Sequence, residues 1–222
     1  MKGLVAGILA VWNDCAPEGL AHFERWYNRE HLQERVAVPG FRRGRRYEAV
    51  AGGDRKFFAC YEVDDAAVLD SAPYIARLDD PTPWTRQAMQ SFRGTVRTVC
   101  DLVSDHGGLI GAYAVVLRAD AAMAPTVAAD GVLRDLAQQD GVARAQLWTV
   151  AERQTRPDTR EMRSRGRDQL IAGACVVDCV RRADAERVCS ALTEPPAALG
   201  ISGARALGIY GLLCVCAPPS PA

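Results

Sequence analysis

The run Trp26-Tyr27-Asn28-Arg29-Glu30-His31-Leu32 sets a histidine beside a carboxylate on a segment whose apolar spacing is helical. With an unperturbed pKa of about 6.5, histidine takes or gives a proton near neutral pH. Phe23, Tyr27 and His31 recur at intervals of four and so share one helix stripe. After a Pro39-Gly40 break comes the strand-like run Phe41-Arg42-Arg43-Gly44-Arg45-Arg46-Tyr47. Arginine forks of this kind grip a carboxylate or phosphate, and the phenols of Tyr47 and Tyr61 are donors for a developing oxyanion. These types point to cofactor-free proton transfer on a small anionic or phenolic organic molecule. His31 is the expected base or acid, Tyr47 and Tyr61 the donors, and Arg45 the residue that orients the substrate. Tyr27, Arg43, Trp84 and Trp148 are expected to complete the binding surface. Each also has a plainer role open to it: a histidine bonded to a carbonyl at a helix end, core aromatics, or a charged strand that protects a sheet edge.

The elements that must position these residues can be read in order. A strand from about Leu4 to Trp12 precedes a helix from about Pro17, a proline suited to a first turn, to Val38. Strands at Phe41–Ala51 and Lys56–Val63 are joined by the turn Gly52-Gly53-Asp54. A helix over about Ala66–Leu78 is broken at Pro81-Thr82-Pro83-Trp84, and a strand near Thr95–Val103 ends the series. The order is β-α-β-β-α-β, the ferredoxin-like unit. Ser104-Asp105-His106-Gly107-Gly108 reads as a linker, and the same order then recurs. It comprises a strand at Leu109–Arg118, a helix around Thr126–Gln138, a strand at Val142–Val150 and an arginine-rich loop at Glu152–Arg167. A strand at Gln169–Val180, a helix near Ala183–Leu192 and a strand near Ala204–Val215 complete it. Two local echoes accompany the repeat: Gly40 and Gly141 each lie seven residues before an aromatic, Tyr47 and Trp148, and Ala59-Cys60 resembles Ala174-Cys175.

A ferredoxin-like sheet with both helices on one face leaves its other face bare, so two copies pair those faces. The expected fold class is therefore α+β: two ferredoxin-like repeats, residues 1–104 and 105–222, wrapped into one barrel with the helices outside. Alternation in Val142–Val150 puts Ala143, Ala145 and Leu147 under helices and Arg144, Gln146 and Trp148 inside. Carried across by the glycines, Arg43, Arg45 and Tyr47 face inward, where a barrel of this size has room for one small ligand. An inward Arg45 with no carboxylate of its own would call for an anionic ligand. The second-half counterparts of His31, Tyr47, Tyr61 and Arg45 register as Val132, Trp148, Val176 and Gln146, so one site per chain is expected.

Lysine plus arginine equals aspartate plus glutamate, 27 each, so no global field favours nucleic acid or an anionic membrane. No apolar stretch approaches the ~20 residues of a membrane span, and the start lacks a convincing leader cleavage site. Six of the eight cysteines fall in apolar strand-like runs without zinc-knuckle spacing, which reads as reduced core thiols in a cytoplasmic protein rather than metal ligands. Phosphate loops, dinucleotide fingerprints and nucleophile elbows are absent from the sequence. A homo-oligomer of the intact chain is compatible with all of this.

Trp26-Tyr27-Asn28-Arg29-Glu30-His31, Val38-Pro39-Gly40-Phe41 and Gly44-Arg45-Arg46-Tyr47, with Lys56 to Glu62 and Pro81-Thr82-Pro83-Trp84-Thr85, resemble the dimeric α+β barrel superfamily, and within it EthD-like proteins. The resemblance covers roughly residues 3–103; the second half is similar in element order alone. It implies a cofactor-free isomerase, cyclase, decarboxylase or dehydratase, with His31 at the position several such enzymes use. It also implies two alternatives: a haem-binding or oxygen-using monooxygenase, and a small-molecule-binding or scaffold protein without catalysis.

Overall fold

The computed structural model describes residues 7–152, 159–165 and 168–218. The first strand, β1 (Gly7–Cys15), is apolar and buried almost throughout, as a strand paired on both sides should be. Leu4–Ala6, expected in it, lie outside the described residues. A 3-10 turn at Pro17–Gly19 leads into α1 (Leu20–Trp26), a π turn (Tyr27–His31) and α2 (Leu32–Val36), stacked as one continuous helix. Gly40, at φ +91°, turns the chain into β2 (Phe41–Gly52); a Cβ there would sit 2.6 Å from the Val68 side chain. β3 (Phe57–Val63) returns as the hairpin partner. The helical stretch that follows divides into a 3-10 turn (Ala66–Asp70) and α3 (Ala72–Asp79). The Pro-Thr-Pro segment, expected to be a plain break, starts a further helix, α4 (Pro83–Met89): Thr82 caps it by accepting from the Thr85 N–H, and Pro83 occupies the first turn.

β4 (Phe92–Gly107) runs longer than expected and overturns the linker at 104–108. Ser104 to Gly107 pair with β7 (Val142–Val150), so the boundary drawn at 104/105 falls inside a strand. The second repeat comprises β5 (Tyr113–Ala119), the short β6 (Ala122–Met123), α5 (Ala129–Ala137), β7, α6 (Arg160–Arg165) and β8 (Gly173–Cys179). It ends with α7 (Arg182–Leu192), the short β9 (Ile201–Ser202) and β10 (Arg205–Cys216). Residues 153–158 and 166–167 of the arginine-rich loop lie outside the described residues.

Eight strands close a barrel in the order β1-β3-β2-β10-β5-β8-β7-β4. Each repeat supplies one sheet, β4-β1-β3-β2 and β10-β5-β8-β7, and the sheets join at β2–β10 and β4–β7. The two-repeat α+β barrel read from the sequence is thus the observed fold. Gly141, at φ +78°, repeats the turn made by Gly40. The cysteine echo is one residue out of register. Tyr47 pairs with Phe58 and Trp148 with Ala174, so Ala59 matches Cys175, and the counterpart of Tyr61 is Val177 rather than Val176.

Three cores result. One fills the barrel, and the others lie outside it, between each sheet and its helices. The barrel interior is a packed core and not a ligand compartment. Phe58 stacks on Trp12 at 4.8 Å and on Tyr47 at 5.3 Å, with Tyr210 and Trp148 against its flanks.

Candidate functional site

The residues expected to act together are parted by the first-half sheet. Arg45 and Tyr47 point into the barrel, whereas Tyr61 points outward to the helices that carry Tyr27 and His31. Inside the barrel, Arg45 Nη1 lies 2.9 Å from Asp178 Oδ2 and donates to the Tyr47 hydroxyl at 3.1 Å; its Nη2 is 3.3 Å from Glu62 Oε1. That corrects the assignment of Arg45 to substrate: it has carboxylates of its own, supplied by both repeats. Burial pushes the Tyr47 phenol well above its ordinary pKa, with Arg45 opposing. Trp148 is a fully buried core residue of the barrel. Arg43 stands half-exposed, 4.0 Å from Glu62, and Trp84 sits on α4 in edge contact with His22 at 6.0 Å and does not line the cavity around His31.

On the outer face a different group converges. His31 is 7% exposed, stacks on Trp26 at 4.1 Å and meets the edge of Tyr27 at 5.1 Å. Both Tyr27 and His31 belong to the π turn, closed by the Leu32 N–H donating to the Tyr27 carbonyl; such turns recur at functional sites because they re-aim side chains without ending the helix. Arg35 follows on α2, one turn after His31. Leu9 and Val11 of β1 and Tyr61 of β3 form the floor; Phe92 and Arg97 of β4, Tyr74 of α3, Met89 of α4 and Glu161 of α6 form the walls. The enclosed space is about 20 Å³, the room of one water.

The electrostatics of this cavity are asymmetric. Arg35 and Arg97 are both buried cations. Arg35 donates through Nη2 to Glu161, and its Nη1 is buried with no hydrogen-bond partner. Arg97 donates to the Tyr74 hydroxyl at 3.1 Å and has no carboxylate partner among the described residues. Among the described residues the lining holds one carboxylate against two guanidiniums, an excess of positive charge that favours an anion. Burial holds the Tyr61 phenol well above its ordinary pKa, with the neighbouring Tyr27 phenol adding to the shift, so Tyr61 stays protonated. The π turn is anchored from behind. Glu30 accepts from Thr82 at 2.6 Å and from Thr85 at 3.1 Å, and Trp26 donates to Thr85 at 3.0 Å.

Arg35, Tyr74, Arg97, Glu161 and the anchoring Thr85 were not singled out from the sequence. Arg35 had a signal, four residues after His31 on the same stripe. The others come from distant elements.

The second half lacks the constellation. Strand pairing matches Arg97 to Leu207 and Tyr61 to Val177, and that face packs as an aliphatic core with Val132 at its margin. A haem does not fit beside His31 or at the matching place in the second half. The space beside His31 is more than tenfold below a cofactor-sized pocket of roughly 300 Å³ or more, and the equivalent face of the second half is sealed by apolar side chains. Among the described residues no group of three or more His, Cys, Asp or Glu is placed to hold a metal, and no helix is long and apolar enough to cross a membrane.

No family model and no curated protein matches the chain. Solved structures do. An anthrone oxidase-like protein is similar over 97% of this chain and 94% of its own, with TM-score 0.62 and 10% identity. A candidate chlorite dismutase is similar over 95% of each chain, with TM-score 0.53 and 10% identity. A candidate monooxygenase of Fusobacterium nucleatum is similar over 98% of this chain and 96% of its own, with TM-score 0.50 and 9% identity. At such identities the likeness is one of fold.

Proposed function

Because the chain is a dimeric α+β barrel with both repeats in one polypeptide, with a histidine cavity in its first half, we propose that it is a cofactor-independent acid–base enzyme acting on a small anionic or phenolic molecule. The observation that carries this reading is the enclosure of His31 with an excess of buried guanidinium. His31 accepts a proton from an acidic O–H or C–H of the substrate and becomes imidazolium. The anion left behind is balanced by Arg97 and by the Arg35 Nη1 edge, and Tyr61 donates a hydrogen bond to its oxygen. In so small an enclosure a guest of about one ring enters by parting the helices over the cavity. Isomerisation, decarboxylation and dehydration all begin from such an anion.

A second reading extends the same step: the substrate anion is then oxidised by dioxygen, as the oxidase-like and monooxygenase-like names of the fold neighbours suggest. A panel of enolisable phenols and aromatic acids, followed by mass change and by an oxygen electrode with no added cofactor, separates the two. Turnover without oxygen consumption supports the first, and stoichiometric oxygen uptake the second. Binding without turnover of any panel member would overturn both in favour of a binding protein.

A further inference from the structure

Glu161 comes from the other repeat. It lies on α6, in the excursion between β7 and β8, and reaches across to the first-half cavity, where its carboxylate meets Arg35; the two side chains are each 3% exposed. The corresponding connection in the first repeat, between β2 and β3, is a tight turn around Gly53 that carries nothing comparable. We propose that Glu161 occupies the position of a substrate carboxylate, so that Arg35 is the residue that selects the ligand and the true ligand is a carboxylate that exchanges with Glu161.

The charges lining the cavity carry the argument. Among the described residues, Arg35, Arg97 and Glu161 are the charged side chains that line the cavity around His31. Glu34, next along the helix, is turned toward Arg77 at 3.8 Å, and Glu30 is held by Thr82 and Thr85. A neutral guest that displaced Glu161 would leave a buried guanidinium bare, which is strongly unfavourable. A carboxylate guest replaces one charged, hydrogen-bonded partner with another, and the unpartnered Arg35 Nη1 gives it a second donor. The exchange is therefore selective for anions before any shape fit is considered. It also frees room at the cavity wall that Glu161 now fills. This inference rests on the cavity being the ligand site, and it sharpens the substrate class from anionic or phenolic to carboxylate.

The test compares binding, not turnover, using benzoate and phenol as ring-matched probes on the full chain. Glu161→Gln removes the competing charge, so benzoate should bind it at least tenfold more tightly than it binds the wild type, with phenol affinity unchanged. The double variant Arg35→Met/Glu161→Met removes both charges together, which buried pairs tolerate, and should lose benzoate while keeping phenol. In the wild type, saturating benzoate should speed amide exchange at residues 160–165, and phenol should not. Unchanged or weaker benzoate binding by Glu161→Gln would overturn the proposal. So would a double variant that binds benzoate as the wild type does, or wild-type exchange at 160–165 indifferent to benzoate. Benzoate binding with no influence of Glu161 or Arg35 defeats this inference alone, whereas failure of both probes with every form defeats the cavity as a ligand site.

Discussion

His31 is held against Trp26 at 4.1 Å with an arginine one turn further on, and under the proposed function it is the group that transfers the proton. Replacing His31 with glutamine keeps bulk and polarity but removes the titrating group. Turnover should fall by ~100-fold or more, the usual worth of general acid–base catalysis, with little change in melting temperature. The reverse pattern, a lower melting temperature with turnover intact, would show His31 to be a support of the fold. The thiols give a second expectation. Burial pushes Cys60 up to about 11 and Cys175 and Cys179 up to about 12 from an ordinary value of 9.0. As pH rises through that interval the unfolded chain releases protons that the folded chain keeps, so their contribution is fully present below 9.0 and is lost above it. Melting temperature should fall between pH 9 and 11, less steeply in Cys60→Ala. At this scale the sequence put Tyr27 and His31 on one stripe because helix spacing is local, and the structure sets both beside Tyr61. Arg45 and Tyr47 misled. Alternation rightly turned them inward, but a strand cannot announce that the carboxylate facing it, Asp178, lies 133 residues away.

The π turn is the element that gives His31 its aim. It is an insertion within an otherwise regular helix, so deleting the exposed Arg29 should leave α1 and α2 seated on the sheet while moving His31 relative to Arg35 and Tyr61. The expected result is a folded protein, by circular dichroism and a modest loss in melting temperature, whose turnover matches that of His31→Gln. Retained activity would show that the turn has no part in the site. No residue pattern betrayed the π turn, since its sequence keeps ordinary helical spacing. The Pro-Thr-Pro segment was read as a stop because proline ends helices more visibly than it starts them. Its N-cap threonine and first-turn proline were legible signals of a beginning. β4 was cut short at the Ser-Asp-His-Gly-Gly run for a similar reason. Polar residues and glycines resemble a linker until a partner strand from the other repeat satisfies their backbone.

Closure of the molecule depends on both repeats. Glu62 of the first accepts from Arg144 of the second at 2.8 Å, and Asp178 of the second pairs with Arg45 of the first. The two seams leave neither sheet with a free edge. Residues 1–104 expressed alone should therefore precipitate or dimerise through the bare sheet face, as read by light scattering; a soluble, stable monomer would refute the account. Asp178→Asn should cost about 3 kcal/mol in chemical denaturation, because it strips charge from a buried pair. Repeat order, the main helices of each half and the inward faces of β2 and β7 were legible in the sequence, because burial of an apolar face is a demand each half makes by itself. What fills the barrel, and what crosses from one half to the other, was not.

The excursion that carries Glu161 shows what a single polypeptide permits. In a symmetric homodimer every inherited change is made twice, so a side chain that stopped one cavity would stop its twin as well. Two repeats on one gene escape that coupling. Where the first repeat holds His31, Tyr61 and Arg97 the second holds Val132, Val177 and Leu207, and its β7–β8 connection supplies Glu161 to the first as a fitted part. The outcome is a polar cavity on one half that both halves line, an inequality that twofold symmetry forbids.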